Sequence, residues 1–242
     1  MYRAIRLGLL DSCALNEITR RQYTDPNGFE SAEHNLGGLW PWEQDVVRRF
    51  FADRVNVLVA GAGGGREAIA LVRQGFDVTA FDFCGALTKA CRSHLADAGL
   101  EARVLDAPPD SLPSELSVYD GIYAGRGFYH HIPGRSRRVA FLKGCRRVTV
   151  PGSPFFLSDF FTRVTNDRFY DRTFVIANAI RRFRRSPDAV EVGDWLNNCM
   201  QHAFVPSEIE SELGEAGFRL ALYADSPFGP GSHLGHAVGI AE

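Results

Sequence analysis

The 242-residue sequence is poor in cysteine, lacks long apolar runs and carries no large excess of either charge. Its five cysteines are odd in number and form no C-x-x-C pair, which argues against a zinc knuckle or a complete disulfide framework. Reduced thiols in a cytoplasmic protein are therefore expected. A net charge of -2 argues against a protein built mainly to bind nucleic acid, although it leaves room for a local basic patch.

No stretch is apolar over the length that a bilayer requires, so no membrane span is expected. The first ten residues form a short apolar run broken by arginines, without the long apolar centre and cleavage site of a signal peptide. We also find no internal repeat and no low-complexity segment. The length allows one large domain, or one domain with an added cap.

From Val55 onward, short apolar runs alternate with helical patterns, which is typical of β-α-β units and a parallel sheet. The predicted fold is α/β: a Rossmann-like doubly wound sheet of about seven strands, mostly parallel with a C-terminal antiparallel strand, plus a helical cap. Seven runs are predicted as strands: 55–60, 77–82, 102–106, 119–124, 154–159, 218–224 and 235–241.

The chain divides into three zones around one domain. Residues 1–50 are interpreted as an N-terminal helical lid segment, and residues 51–160 with 206–242 as the α/β core. Residues 161–205 show helical patterns and no strand, so they are predicted to form a helical cap insertion over the strand ends, on the side of the acceptor. The long turn Pro227–Ser232 suits an antiparallel return to the last strand.

A glycine turn directly follows the first predicted strand. Glycines there allow a tight turn and let a ligand approach the backbone, and the next helix offers free N–H groups. The frame G-x-G-x-x-G of dinucleotide sites fails because Arg66 takes the third glycine position. The frame G-x-G-x-G is met by Gly61, Gly63 and Gly65.

This turn resembles motif I of the class I S-adenosylmethionine-dependent methyltransferases, and further landmarks follow in order. Asp82 ends the second strand, where that family has an acid for the ribose hydroxyls; Asp106 stands where it has an acid near the adenine amino group. The stretch Tyr129–Pro133 resembles its common HHIP signature. The resemblance covers about 55–160 and the layout of 206–242. It implies S-adenosylmethionine as cofactor, bound by Gly61, Ala62, Gly63, Gly65, Glu67, Asp82, Phe83, Asp106, Ala107 and Gly125.

One departure concerns the acid that this family often has two positions before the first glycine, where this sequence has Val59. Glu67 could replace it at the amino-acid end of the cofactor, or could be an ordinary first-turn acid. Other landmarks also have structural readings. Asp82 could cap the next helix, Asp106 could be a turn residue and Phe83 could fill the core.

Methyl transfer from an activated sulfonium mainly requires alignment of the acceptor with the methyl group. A general base can increase the rate further. His130, His202 and Asp159 are the candidates for a base or an acceptor contact, whereas His131 is interpreted as a loop residue packed on Pro133. Asp159 with Asn166 and Asp167 is too loose a set for a metal site, and none is predicted.

The expected activity is methyl transfer to oxygen or nitrogen of a small organic acceptor, because aromatic residues are dense in the lid and the cap. An RNA or protein methyltransferase remains an alternative, for which the basic run Arg181–Arg185 would form part of the surface; a solvated helix end is the other reading of that run. A nicotinamide-dependent reductase and a non-catalytic cofactor-binding module also remain open, as does the choice between monomer and homodimer.

Overall fold

The structure is a computed structural model that describes residues 1–24, 30–186, 188–226 and 233–242. Its strands are β1 (Asn56–Ala60), β2 (Asp77–Asp82), β3 (Arg103–Asp106), β4 (Gly121–Ala124), β5 (Pro154–Phe161), β6 (Asp194–Leu196), β7 (Met200–His202), β8 (Phe218–Asp225) and β9 (Leu234–Ala241). Its helices are α1 (Tyr2–Leu9), α2 (Ser12–Thr24), α3 (Ala32–Leu36), α4 (Pro41–Phe50), α5 (Arg66–Arg73), α6 (Gly85–Asp97), α7 (Arg135–Arg147), α8 (Arg168–Phe183) and α9 (Pro206–Glu215).

Seven strands form one sheet in the order β3-β2-β1-β4-β5-β9-β8. The pairs from β3 to β5 are parallel, and β9 runs antiparallel to both β5 and β8. The predicted fold class is therefore confirmed, including the antiparallel strand near the C-terminus. The strand order reverses between β1 and β4, and ligands of open α/β sheets bind in the crevice at such a point.

Each central strand is buried on both faces, as expected for a parallel sheet covered by helices on either side. In β1, Leu58 faces the core that contains α7 and α9, whereas Val57 and Val59 face the core under α4, α5 and α6. β5 alternates in the same way, with Phe155 on the first face and Phe156 on the second. A β strand places successive side chains on opposite faces, so these runs supply both cores.

The segment 161–205 differs from its prediction, because it contains strands as well as the helix α8. β6 and β7 pair antiparallel, with Asp194 opposite His202 and Leu196 opposite Met200. The expectation of no strand here was wrong. Three-residue strands are too short to display a period-two pattern that can be distinguished from a loop.

The N-terminal helices and the 161–205 segment pack on one another. Leu7 and Leu15 lie in a small apolar core with Ala177, Leu196 and Met200. The approach of α1 to α8 is close, since a Cβ on Gly8 would lie 2.7 Å from the carbonyl oxygen of Ala177. These two segments, far apart in sequence, therefore form one layer at the carboxyl ends of the strands.

The five cysteines are free thiols, four of them buried. Among the described residues, no helix is long and apolar enough to cross a membrane. The predicted turn at Pro227–Ser232 lies outside the described residues.

Candidate active site

A cavity of about 300 Å³ opens at the point where the strand order reverses. Its wall combines the glycine turn after β1, the ends of β2 and β5, the loop after β4, and α2 from the N-terminal segment. The volume lies at the lower end of the range for small-molecule sites, roughly 300–1,000 Å³. The cavity thus joins core residues with residues of the N-terminal segment.

The glycine turn adopts the left-handed backbone that favours glycine, with φ of +67° at Gly61 and +53° at Gly63. A Cβ on Gly61 would lie 2.3 Å from the Phe128 side chain, whereas one on Gly63 would meet nothing within 4 Å. Gly63 therefore leaves open space at the cavity wall, and Gly61 allows close packing. Gly65 serves packing as well, because its Cβ would lie 2.8 Å from Sγ of Cys91.

Asp82 lies at the end of β2 and reaches the glycine turn. Its Oδ2 accepts a hydrogen bond of 2.9 Å from the N–H of Gly63, and its Oδ1 accepts one of 2.8 Å from the N–H of Cys84. Burial raises the pKa of this carboxyl, while those backbone N–H groups oppose the rise. Asp82 thus fixes the turn and holds the start of α6, and it also lines the cavity.

The other predicted cofactor residues fall into two groups. Ala62, Glu67, Phe83 and Ala107 line the cavity together with Gly61, Gly63 and Asp82. The other three, Gly65, Asp106 and Gly125, are not among the described residues that line the cavity. The Asp106 carboxylate instead accepts from the Thr88 hydroxyl and pairs with Arg92 at 3.4 Å, and a Cβ on Gly125 would lie 2.5 Å from the carbonyl oxygen of Gly61.

A buried charge cluster lies beside the glycine turn. Arg66 at the start of α5 makes two hydrogen bonds to the Glu43 carboxylate of α4, at 2.7 and 2.8 Å, and a third to Glu67 at 2.7 Å. Glu67 also accepts from the N–H of Arg126 at 3.2 Å. Val59 is fully buried in the core, so the acidic groups near the turn, besides Asp82 of β2, come from α4 and α5.

Two cations of this cluster lie close to the Trp40 ring. The ring is 4.0 Å from the guanidinium carbon of Arg66 and 4.6 Å from that of Arg126, distances at which cation–π attraction acts. The Nε of Arg126 donates to Oδ2 of Asp159 over 3.0 Å. Arg126 therefore connects the charged cluster to the end of β5.

Asp159 occupies an irregular position of β5, where the pairing with β9 shifts register and φ is +50°. Its side chain lines the cavity and is 2% exposed. Burial raises the pKa of Asp159 to about 6, although Ser226 and Arg126 oppose the rise. A bulge of this kind turns a side chain out of the regular alternation and aims it at a site.

The loop after β4 brings His130 and His131 into the cavity wall. Their rings lie 4.3 Å apart. Tyr129 anchors this loop by donating to Oε2 of Glu212 over 2.6 Å. Burial lowers the pKa of His130 well below its usual range and that of His131 to about 4, so both rings are neutral at pH 7.

His202 lies outside this cavity. It is 1% exposed in β7, and its Nδ1 is 2.7 Å from Oδ1 of Asp194. Burial and Arg138 lower its pKa, but hydrogen bonds to Asp194 and Glu208 outweigh them and raise it. The structure therefore places His202 in a buried ion cluster outside the described cavity wall.

The local sequence does not predict that several of these residues belong to the site. Tyr23 lies in α2 and Glu43 in α4, both far from the glycine turn in sequence, and Arg126 is one of many arginines. His131 was interpreted as a loop residue packed on Pro133, yet it lines the cavity. Only the packing of α2 and α4 against the core brings these groups together.

Comparison with known proteins agrees with the fold. Residues 57–152 match a methyltransferase domain family. The ubiquinone biosynthesis O-methyltransferase of Xylella fastidiosa (strain M23) is 31% identical over 136 residues, which are 55% of this chain and 52% of that protein. The chain therefore spans about half the length of the curated relatives it matches.

Two solved structures show the same fold over most of the chain. One is the 1,6-didemethyltoxoflavin-N1-methyltransferase of Burkholderia thailandensis with bound 1,6-didemethyltoxoflavin and S-adenosylhomocysteine; it is 18% identical, with a TM-score of 0.66 and coverage of 96% of this chain and 92% of the other. The other is an S-adenosylmethionine-dependent methyltransferase of Methanosarcina mazei. It is 18% identical, with a TM-score of 0.66 and coverage of 84% of this chain and 98% of the other.

The sheet order, the glycine turn and these matches support the predicted resemblance to the class I S-adenosylmethionine-dependent methyltransferases. Residues 57–152 match a methyltransferase domain, and S-adenosylmethionine is the cofactor that this resemblance implies.

Proposed function

We propose that this protein transfers the methyl group of S-adenosylmethionine to an oxygen or nitrogen atom of a small organic acceptor. One observation carries the proposal: a single cavity is lined by Gly63, Glu67 and Asp82 and also by Tyr23 and His131, which come from other segments of the chain. A cofactor on the first group would therefore share an enclosed space with an acceptor on the second.

The residues on the cofactor side suit S-adenosylmethionine. Asp82 has carboxylate lone pairs beyond those used by two backbone N–H groups, so it can accept from ribose hydroxyls. Phe83 and Ala107 offer apolar surface for an adenine ring. Glu67 has the charge to hold the ammonium group, and Arg126 has the charge to hold the carboxylate.

S-adenosylmethionine supplies an activated methyl group, so the protein must chiefly orient the acceptor and exclude water. The N-terminal segment and residues 161–205 form the layer over the strand ends, which supports their proposed roles as lid and cap. The names of the two named relatives, an O-methyltransferase and an N1-methyltransferase, support oxygen and nitrogen as alternatives. The free cysteines support a reducing compartment such as the cytoplasm.

The alternative of a polymer substrate gains no support from the basic run at the end of α8. Arg181 donates to the carbonyl oxygens of Leu7 and Leu10, and Arg184 donates to that of Leu9. Two arginines of the run thus hold the C-terminal end of α1. This use of the guanidinium groups favours a structural role over a nucleic-acid surface.

Calorimetric titration with S-adenosylmethionine, S-adenosylhomocysteine and NADH tests the proposal. We expect micromolar binding of the first two ligands and none of NADH. Asp82→Asn should weaken binding by at least about tenfold, since one charge-assisted hydrogen bond contributes about 1.5–3 kcal/mol. Asp106→Asn is the matched control and should stay within about threefold, because its side chain lies outside the cavity wall.

Binding of NADH alone would identify a reductase instead. A folded protein that binds none of the three would be a non-catalytic module, and the proposal would be abandoned.

A further inference from the structure

The helix α1 has a largely apolar stripe on its solvent side. Its buried side contacts α8, where Gly8 approaches Ala177 closely. Tyr2, Ile5 and Leu9 are exposed, and 73% of the Tyr2 surface is accessible to solvent. Their spacing of i, i+3 and i+7 places them on one side of the helix, away from the buried side. The stripe therefore faces solvent although it has the composition of a core.

A second stripe follows the solvent side of α8. Val175, Ala179 and Phe183 recur every four residues and are exposed, Val175 by 62% and Phe183 by 90%. Arg184, next to Phe183, donates to the carbonyl oxygen of Leu9, so the two stripes meet at one end. We call the two stripes together the α1–α8 surface. Contiguous apolar patches of this kind mark sites of interaction with a partner.

The charges beside the α1–α8 surface are predominantly positive. The two helices contain six arginines and one acidic residue, the half-buried Asp171. Two further aspartates, Asp11 and Asp167, cap the helices α2 and α8. Three exposed arginines fall on the same side of α8 as its apolar stripe, and one exposed arginine follows Tyr2 in α1. These arginines are Arg3, Arg168, Arg172 and Arg182.

This combination favours a membrane with anionic headgroups as the partner. Helices that lie on a membrane insert apolar side chains below the headgroups, while flanking arginines attract the anionic lipids. A symmetric contact with a second copy would instead place arginines against arginines, which repel. Nucleic acid would pair with the arginines, but its phosphates offer nothing to cover the aliphatic side chains of the stripes.

We propose that the α1–α8 surface binds an anionic lipid bilayer, with its apolar side chains inserted below the headgroups and its arginines at the lipid phosphates. Such binding takes place within the membrane interface and requires no helix that spans the bilayer. A bound bilayer would contact the layer that α1 and α8 form at the carboxyl ends of the strands. The proposal is independent of the methyl transfer, because no residue of the surface lines the described cavity.

Co-sedimentation of the full chain with lipid vesicles tests the proposal. One set of vesicles contains equal parts of phosphatidylglycerol and phosphatidylcholine, and the other contains phosphatidylcholine alone. We expect the affinity for the anionic vesicles to be at least about tenfold higher, since each arginine near an anionic surface strengthens binding by about fivefold. Salt at about 1 M should remove most of this preference, because it screens the charges.

The double variant Val175→Ser with Phe183→Ser tests the apolar part of the surface. It should weaken binding to the anionic vesicles about tenfold or more, because the inserted apolar area is lost. Val55→Ser with Val118→Ser is the matched control, since both valines are more than half exposed but precede β1 and β4 at the opposite end of the sheet. The control should keep the wild-type affinity.

The double variant Arg172→Gln with Arg182→Gln tests the charges. It should weaken binding to the anionic vesicles by about fivefold for each arginine and leave binding to neutral vesicles unchanged. Arg49→Gln with Arg147→Gln is the matched control, because these exposed arginines lie in α4 and α7, outside the surface.

Sedimentation of the protein with neither set of vesicles, equal affinity for both sets, or equal losses in the surface variants and their controls would each overturn the proposal. Sedimentation equilibrium without lipid and titration with an RNA oligonucleotide test the other two partners. In a protein that does not bind vesicles, a dimer that the Val175 and Phe183 changes dissociate would assign the surface to a second copy. RNA binding that the Arg172 and Arg182 changes weaken would assign it to nucleic acid.

Discussion

Arg66 and Glu43 meet in a two-point ion pair, with nitrogen-to-oxygen distances of 2.7 and 2.8 Å and both side chains almost fully buried. The pair joins α4 to α5, and it lies directly beside the glycine turn. Its carboxylate also accepts from Ser158 of β5 at 2.8 Å. One buried carboxylate thus connects three elements that shape the cavity.

We expect Glu43→Gln to lower the free energy of unfolding by about 3 kcal/mol, because it removes the two-point ion pair and leaves Glu67 as the one remaining carboxylate beside the buried Arg66 charge. Urea unfolding followed by circular dichroism measures the change. Asp45→Asn is the matched control: it removes the exposed ion pair with Arg48 on the same helix and should have little effect. If both variants lost the same free energy of unfolding, the buried ion pair would contribute no more to stability than the exposed one.

Gly63→Ala should abolish cofactor binding in a folded protein, because the added methyl would fill open space at the cavity wall. Gly75→Ala is the matched control, since Gly75 also has a positive φ and open space, but lies outside the described wall. Both changes should cost about 1–2 kcal/mol of stability through backbone strain. Calorimetry with S-adenosylhomocysteine should separate them, and similar affinities would exclude a cofactor role for the turn at Gly63.

The pKa of Asp159, about 6, predicts a pH dependence of stability. An acid with a raised pKa in the folded protein binds its proton more tightly there than in the unfolded chain. Its ionisation therefore destabilises the folded state as the pH rises from about 4 to about 6, by up to about 3 kcal/mol. The wild-type protein should lose stability relative to Asp159→Asn over this interval.

Urea unfolding of both proteins at pH 4.5, 5.5 and 7.5 measures this difference. A difference that stays constant, or that favours the wild type as the pH rises, would contradict the raised pKa.

His202 should also make the protein less stable as the pH rises, but at higher pH than Asp159, because hydrogen bonds to Asp194 and Glu208 raise its pKa above the usual histidine value. A raised histidine pKa contributes stability that is fully present below the unfolded value of about 6.5 and is lost as the pH rises through the folded value. The stability lost in His202→Asn should therefore be larger at pH 6 than at pH 9. A larger loss at pH 9 would refute the protonated ion cluster.

Local sequence patterns are enough to specify the sheet and most of the proposed cofactor side of the cavity. Apolar runs such as Val57–Val59 predict buried strands, and glycines that follow a strand predict a turn open to a ligand. The end of β2 is likewise visible in the sequence, so the pattern alone places Asp82 at the edge of the sheet where the turn lies. The resemblance to a family then implied the cofactor, and the family matches confirm it.

The proposed acceptor side of the cavity depends on tertiary contacts instead. Tyr23 and His131 are 108 positions apart, and their hydrogen bond exists only because α2 packs beside the loop after β4. His202 and His131 have the same side chain and cannot be distinguished by sequence alone. His202, however, lies in β7 and is buried among carboxylates. Burial and hydrogen-bond partners determine the protonation and the role of a histidine, and both arise from contacts between segments that no local pattern encodes.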